Sequence, residues 1–183
     1  MKVSILMKLL LVNALGLVLA LPSISKAAFV TAAISGQTSG QIKGDNTARG
    51  QEGTIVVLGA GLELNIPTDT SSGLPTGRTQ LKPLKITKPL DKATPRLFNA
   101  AVNNELLTDV LIKFYHNNPA GLFVHYYTIK LRHARITSIT ANEDGQVANG
   151  MVETIYMTFE TMEITDVVSG NTALIAWGPP SAK

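Results

Sequence analysis

The chain has 183 residues, no cysteine, and 16 lysines and arginines against 13 acids. Lys2, Lys8 and Lys26 supply the whole excess, and 16 less those three leaves 13 against 13 over residues 28–183. That neutrality excludes the electrostatic footprint of a nucleic-acid binder. The lack of cysteine excludes a disulfide framework and thiolate zinc sites, so stability must come from packing or association.

In chain order, residues 1–27 read as a secretory leader. Lys2 and Lys8 give a positive start, residues 9–21 are apolar apart from Asn13, and Pro22 stops the run. Ser25-Lys26-Ala27 places small residues where a signal peptidase reads them, so the mature chain is expected to begin at Ala28. The apolar run is shorter than the ~20 residues a bilayer span requires, so no stable membrane insertion is expected once the leader is gone. Residues 28–183 are the length of one domain with a real core.

Within that domain short β-branched and aromatic runs alternate with Gly, Pro, Asn and Asp, which predicts an all-β, antiparallel protein. A strand is expected over residues 54–58, continuing over 62–66 after a kink. Residues 65–83 carry Pro67, Asp69, Ser71, Ser72, Gly73, Pro75 and Gly77 and predict a long exposed loop. Loops of that length without internal structure are usually functional or disordered, so this one is weighed as an assembly element. Thr94 is placed as the cap of a helix with Pro95 in its first turn, with Leu97, Phe98, Ala101 and Val102 on one face and Asn103-Asn104 at its end. Strands follow at 107–115 and 122–131, joined by Asn117-Asn118-Pro119-Ala120-Gly121 as a hairpin. Further strands are expected at 135–140 and 151–161, where Ile155, Met157 and Phe159 alternate with Thr154, Tyr156 and Thr158.

Nothing in these elements assembles a catalytic set. Gly59-Ala60-Gly61 follows a strand as a dinucleotide fingerprint would, but Leu64 holds the third glycine position and Pro67 forbids the helix that would receive the pyrophosphate. It reads as a turn between strands. Gly36, Gly40 and Gly44 read as turns or strand bends, because no Gly-Lys-Ser or Gly-Lys-Thr follows them. His116 and His125 lie on opposite arms of the expected hairpin and can approach each other, yet with His133 they lack a completed ligand set. The carboxylate pairs Glu143 with Asp144 and Glu160 with Glu163 read as solvated charge, and the Gly-x-Ser-x-Gly nucleophile turn is absent. No catalytic residue, metal site or cofactor is assigned.

Several ordered segments then resemble one family. They are Ile34-Ser35-Gly36-Gln37-Thr38-Ser39-Gly40-Gln41-Ile42-Lys43-Gly44, Ser72-Gly73-Leu74-Pro75-Thr76-Gly77-Arg78, residues 83–95 ending Asp91-Lys92-Ala93-Thr94-Pro95, Leu106-Leu107-Thr108-Asp109-Val110 and Tyr126-Tyr127-Thr128-Ile129. Together, over roughly residues 33–159, they resemble the haemolysin-coregulated protein (Hcp) family. The resemblance implies two packed sheets closed into a β-barrel with one flanking helix, and a homo-hexameric ring. It further implies rings stacked into the inner tube of a type VI secretion system, with sheath and spike proteins as partners and small effector proteins in the lumen. Three features depart from the family pattern: the leader, Leu81 where a histidine is expected, and the placing of the only tryptophan, Trp177, beyond the Ser169-Gly170-Asn171 turn. The competing reading is an exported periplasmic or extracellular carrier module with the same barrel and no tube. A binding module would be monomeric or dimeric, a ring about six subunits.

Overall fold

The computed structural model describes residues 28–118, 120, 122–143 and 150–177. The expected leader, Pro119 and Gly121 of the expected hairpin turn, and Asp144 lie outside the described residues. The strands are β1 (Ala28–Gly36), β2 (Gly40–Ile42), β3 (Ile55–Val57), β4 (Gly59–Gly61), β5 (Leu64–Asn65), β6 (Gln80–Leu81), β7 (Leu84–Pro89), β8 (Leu107–Asn117), β9 (Phe123–Glu143), β10 (Met151–Thr158), β11 (Thr161–Asp166) and β12 (Thr172–Ala176), with one helix, α1 (Thr94–Val102), among the described residues. The protein is all-β with a flanking helix, as expected.

One strand organises the rest. The expected strands at 122–131 and 135–140 are a single element, β9, that serves two sheets. Its first half pairs with β8 from Asn117↔Phe123 to Leu107↔Ala134 and with β11 from Asp166↔Tyr127 to Thr161↔Arg132. Its second half pairs with β10 from Thr158↔Arg135 to Met151↔Glu143. The change of partner falls beside His133, whose φ of 50° is a left-handed setting that bends the strand. Hydrophobic alternation alone gives no sign of this continuity, because a bend interrupts it.

The main strand path runs β2-β1-β8-β9-β10-β7-β4, with β3 also paired to β1 and β12 to β11. That path is open, so the ladders give two sheets sharing β9 and not the cyclic ladder expected of a closed barrel. Between its ends, β3 pairs with β1 and β4 with β7, and only Leu58 separates β3 from β4; its N–H donates to Thr87 O at 2.8 Å. Gly59-Ala60-Gly61 is therefore an edge strand and not the expected turn, because its backbone continues the crossing from one sheet to the other.

The core lies between the two sheets and under α1, and includes Ile34, Ile55, Leu84, Ile86, Leu97, Leu107, Ile112, Leu131, Ile155 and Met157, all fully buried. Each such side chain stabilises the fold by about 1.5–3 kcal/mol of transfer free energy. The expected inward face of Ile155, Met157 and Phe159 is buried as read. Gly44 is obligatory, since a Cβ there would lie 2.5 Å from Thr54 O and 2.6 Å from the Ile55 Cα. Gly40 turns the β1–β2 hairpin at a φ of 62°.

The helix departs from the sequence reading in two respects. Thr94 is its first residue and not its cap; Asp91 Oδ1 instead accepts from the Ala93 N–H at 3.0 Å, and Thr94 Oγ1 accepts from the Asp91 N–H at 3.2 Å. The buried helix positions are Leu97 and Ala100, whereas Phe98 is 39% and Val102 83% exposed. The apolar stripe is wider than the core contact, and its outer half faces outward.

Candidate functional site

The sequence-named histidines do not converge. His125 pairs across the β8–β9 ladder with Tyr115, and His116 with Val124 on the next rung. Successive residues of a strand point to opposite faces, so the two imidazoles are held apart. His125 Nε2 lies 2.8 Å from Thr128 Oγ1, and burial, with Lys113 nearby, pushes its pKa down. His133 sits on the exposed bend with Nδ1 2.5 Å from Glu160 Oε2. Glu163 stands opposite Lys130 on β9, away from any pairing with Glu160, and Glu143 ends β9. Among the described residues no three metal-capable side chains gather.

A group that the sequence reading missed lies beneath α1. Alternation along β7 points Leu84, Ile86 and Lys88 to the core, and the β7–β10 register sets Lys88 opposite Glu153. Both are 0% exposed, with Lys88 Nζ 2.6 Å from Glu153 Oε1, 2.8 Å from Asp91 Oδ1 and 2.8 Å from Pro89 O. Thr94 Oγ1 also donates to Glu153 Oε1 at 3.0 Å, which ties the start of α1 to both strands. The signal was available: a lysine on an inward strand position needs a buried acid.

The second group is the segment expected as a loop. Residues 64–81 form a ribbon in which Leu64 pairs with Leu81, Asn65 with Gln80, and Thr68 with Pro75. Its tip is held by Asp69, whose Oδ1 accepts from the Ser71 and Ser72 N–H groups at 2.8 Å each and from Ser71 Oγ at 2.5 Å. The Ser71 hydroxyl, then the two backbone donors, lower the Asp69 pKa from 3.8 to about 2. The loop is thus exposed as expected but ordered within itself, because one carboxylate collects the donors of its own turn. The ribbon displays Leu64, Ile66 and Leu74 to solvent, Leu74 at 65%. With Phe98 and Val102 these are apolar side chains outside the core.

The fold is thus an all-β domain with one flanking helix and several apolar side chains outside its core. The family model described as "Type VI secretion system effector, Hcp" matches residues 33–165. The Major exported protein of Pseudomonas aeruginosa is 35% identical over 144 residues, covering 76% of this chain and 84% of that protein. An Hcp protein from Escherichia coli EAEC 042 superposes with a TM-score of 0.74 at 26% identity, covering 83% of this chain and 100% of that one. A secreted Hcp protein from Pseudomonas aeruginosa gives 0.69 at 28% identity, covering 84% and 100%. The chain belongs to the Hcp family of type VI secretion proteins. The match closely brackets the ordered segments named from the sequence.

The C-terminal departure has a local explanation. The β11–β12 hairpin returns Trp177 to the start of β11, where its N–H donates to Glu160 O at 2.9 Å. Its indole meets the Phe159 ring edge-on, at 5.2 Å and 88°. Among the described residues no helix is long and apolar enough to cross a membrane.

Proposed function

We propose that this protein is the structural subunit of hexameric rings that stack into the tube of a type VI secretion system, with small effector proteins as lumen cargo and sheath and spike proteins as partners. The reading includes removal of residues 1–27 on export, a single domain over residues 28–183 closed as a barrel, and a role without catalysis, metal or cofactor. The crossing from β3 to β4, which joins the β1 and β7 edges through Leu58, supports the barrel. The observation that carries the assembly reading is the ribbon. A segment that is ordered within itself, contributes little to the core and exposes Leu64, Ile66 and Leu74 is explained by docking on a neighbouring copy.

Light scattering on the purified protein tests it directly. A mass of about six subunits is expected for a closed heterologous ring. A monomer or dimer at all concentrations would refute the ring and favour the exported carrier module. N-terminal sequencing of the exported form tests the leader separately, with Ala28 the expected first residue.

A further inference from the structure

The β1–β2 turn, the end of α1 and the middle of β9 enclose a cleft of about 500 Å³ in which every lining side chain but Leu106 is polar. Its charged groups are held in place. Arg96 donates through Nη1 to Gln41 O at 3.2 Å and through Nη2 to Ser39 O at 2.8 Å, and Arg135 donates through Nη1 to Asn104 O. Glu105 is the one acid in the wall, and it accepts from the Thr38 N–H at 2.8 Å, the Ser39 N–H at 2.7 Å and Ser39 Oγ at 2.7 Å. These donors, the Ser39 N–H foremost, lower its pKa and keep it ionised. Gly36 makes the arrangement possible, since a Cβ there would collide with the Glu105 carboxylate.

The end of α1 would ordinarily repel an anion through its free carbonyls. Here it is capped. Glu105 N donates to Ala100 O at 2.8 Å and Asn104 N to Ala101 O at 3.0 Å, with Asn104 in the left-handed setting at a φ of 49°. The cleft is left with two fixed guanidinium groups against one acid, whose Oε1 already accepts two backbone N–H groups. Among the described residues Arg135 has no partner for its Nε and Nη2, the two donors that make a planar fork.

We propose that this cleft binds a single carboxylate borne on a short peptide segment, with the Arg135 fork as its principal contact and the Gln37 and Asn104 amides as neutral neighbours. The volume is that of a ligand site for a few residues. One net positive charge suits a monoanion, and the fixed Glu105 carboxylate disfavours a phosphate dianion. The inference is independent of ring assembly.

Saturation-transfer NMR on the intact protein with three tripeptides tests it. The probes are acetyl-Ala-Glu-Ala-amide, its Gln twin, and acetyl-Ala-Ala-Ala with a free C-terminus. The Glu peptide or the free-terminus peptide is expected to bind saturably at millimolar concentration, and which one binds tells a side-chain from a terminal carboxylate. The Gln twin and the Arg135→Gln variant are each expected to weaken binding about tenfold or more. Should Arg135→Gln fail to fold, the comparison of the better-binding carboxylate peptide with the uncharged Gln peptide on the native protein decides. Saturable binding of the Gln peptide as tight as that of the better carboxylate peptide, unchanged binding by a folded Arg135→Gln variant, stronger displacement of the bound peptide by inorganic phosphate than by acetate, or no saturable signal would each overturn the proposal.

Discussion

The hub beneath α1 and the ribbon of residues 64–81 are both held by a carboxylate that collects donors, yet they stand at opposite extremes of burial. Glu153 is 0% exposed and meets a lysine that is also 0% exposed, whereas Asp69 meets only hydroxyl and backbone groups of its own solvent-facing turn. In the hub, water cannot replace a lost partner, so each group depends on the other. On the ribbon water can. The same chemistry therefore fixes the fold in one place and only shapes a surface in the other.

Breaking the hub gives the largest expected effect. Lys88→Met leaves Glu153 buried without its counter-charge, and a loss of roughly 3–5 kcal/mol is expected in urea unfolding. The double variant Lys88→Met with Glu153→Met is expected to regain much of that loss, because Glu153 Oε2 has no partner among the described residues and the pair is imperfectly satisfied. A double variant as unstable as the single one would show that the pair itself, and not the stranded charge, is what matters. Leu97→Ala follows in size. Leu97 is fully buried where α1 meets the core, so a cost of about 2–5 kcal/mol is expected by the same measurement.

Cutting the ribbon sharpens the contrast from the other side. Replacing residues 68–78 by a short Gly-Ser linker should change unfolding stability by no more than about 1 kcal/mol, since loop length enters only logarithmically and no core side chain is removed. Hexamer-sized particles are expected to remain by light scattering, while any stacked tubes formed by the native protein disappear from negative-stain images. A monomeric product would move the ribbon into the subunit interface of the ring, and surviving tubes would remove it from assembly.

How far the sequence discloses these regions follows from the same physics. The buried face of β10 and of Phe159 just after it was readable because strict alternation over Ile155, Met157 and Phe159 meets only one fold requirement. The helix was readable in position, but its buried face was not: Leu97, Phe98, Ala101 and Val102 form a plausible apolar stripe, and nothing local says that Phe98 and Val102 lie beyond the reach of the sheet. The continuity of β9 was hidden because a left-handed residue at His133 breaks the alternation without ending the strand. The ribbon composition disclosed exposure and concealed order, since Pro, Gly, Ser and Asp are the residues of both loose loops and tight turns. The hub and the carboxylate cleft needed tertiary register. Lys88 and Glu153 are 65 positions apart, and Arg96, Glu105 and Arg135 come together only once α1 is docked.

The smallest effect is confined to the ribbon tip and is read by pH. In the folded chain the Asp69 pKa is lowered to about 2 from 3.8, chiefly by the Ser71 hydroxyl, then by the Ser72 and Ser71 N–H groups. A carboxyl whose folded pKa is depressed stabilises the folded turn fully above its unfolded pKa and loses that contribution as pH falls through the folded one. The window for Asp69 therefore runs from about pH 4 down to about pH 2. Because Asp69 is fully in water, the protonated turn has solvent as an alternative partner, so the loss should be local. Exchange of the Ser71 and Ser72 amide hydrogens, corrected for the intrinsic pH dependence of exchange, is expected to lose its protection across that window while the β10 amides stay protected. Asp69→Asn should show weakened protection at every pH and abolish the titration. Loss of β10 protection in step with the ribbon would mean that the two regions fold as one unit, and the contrast between hub and ribbon would then be wrong.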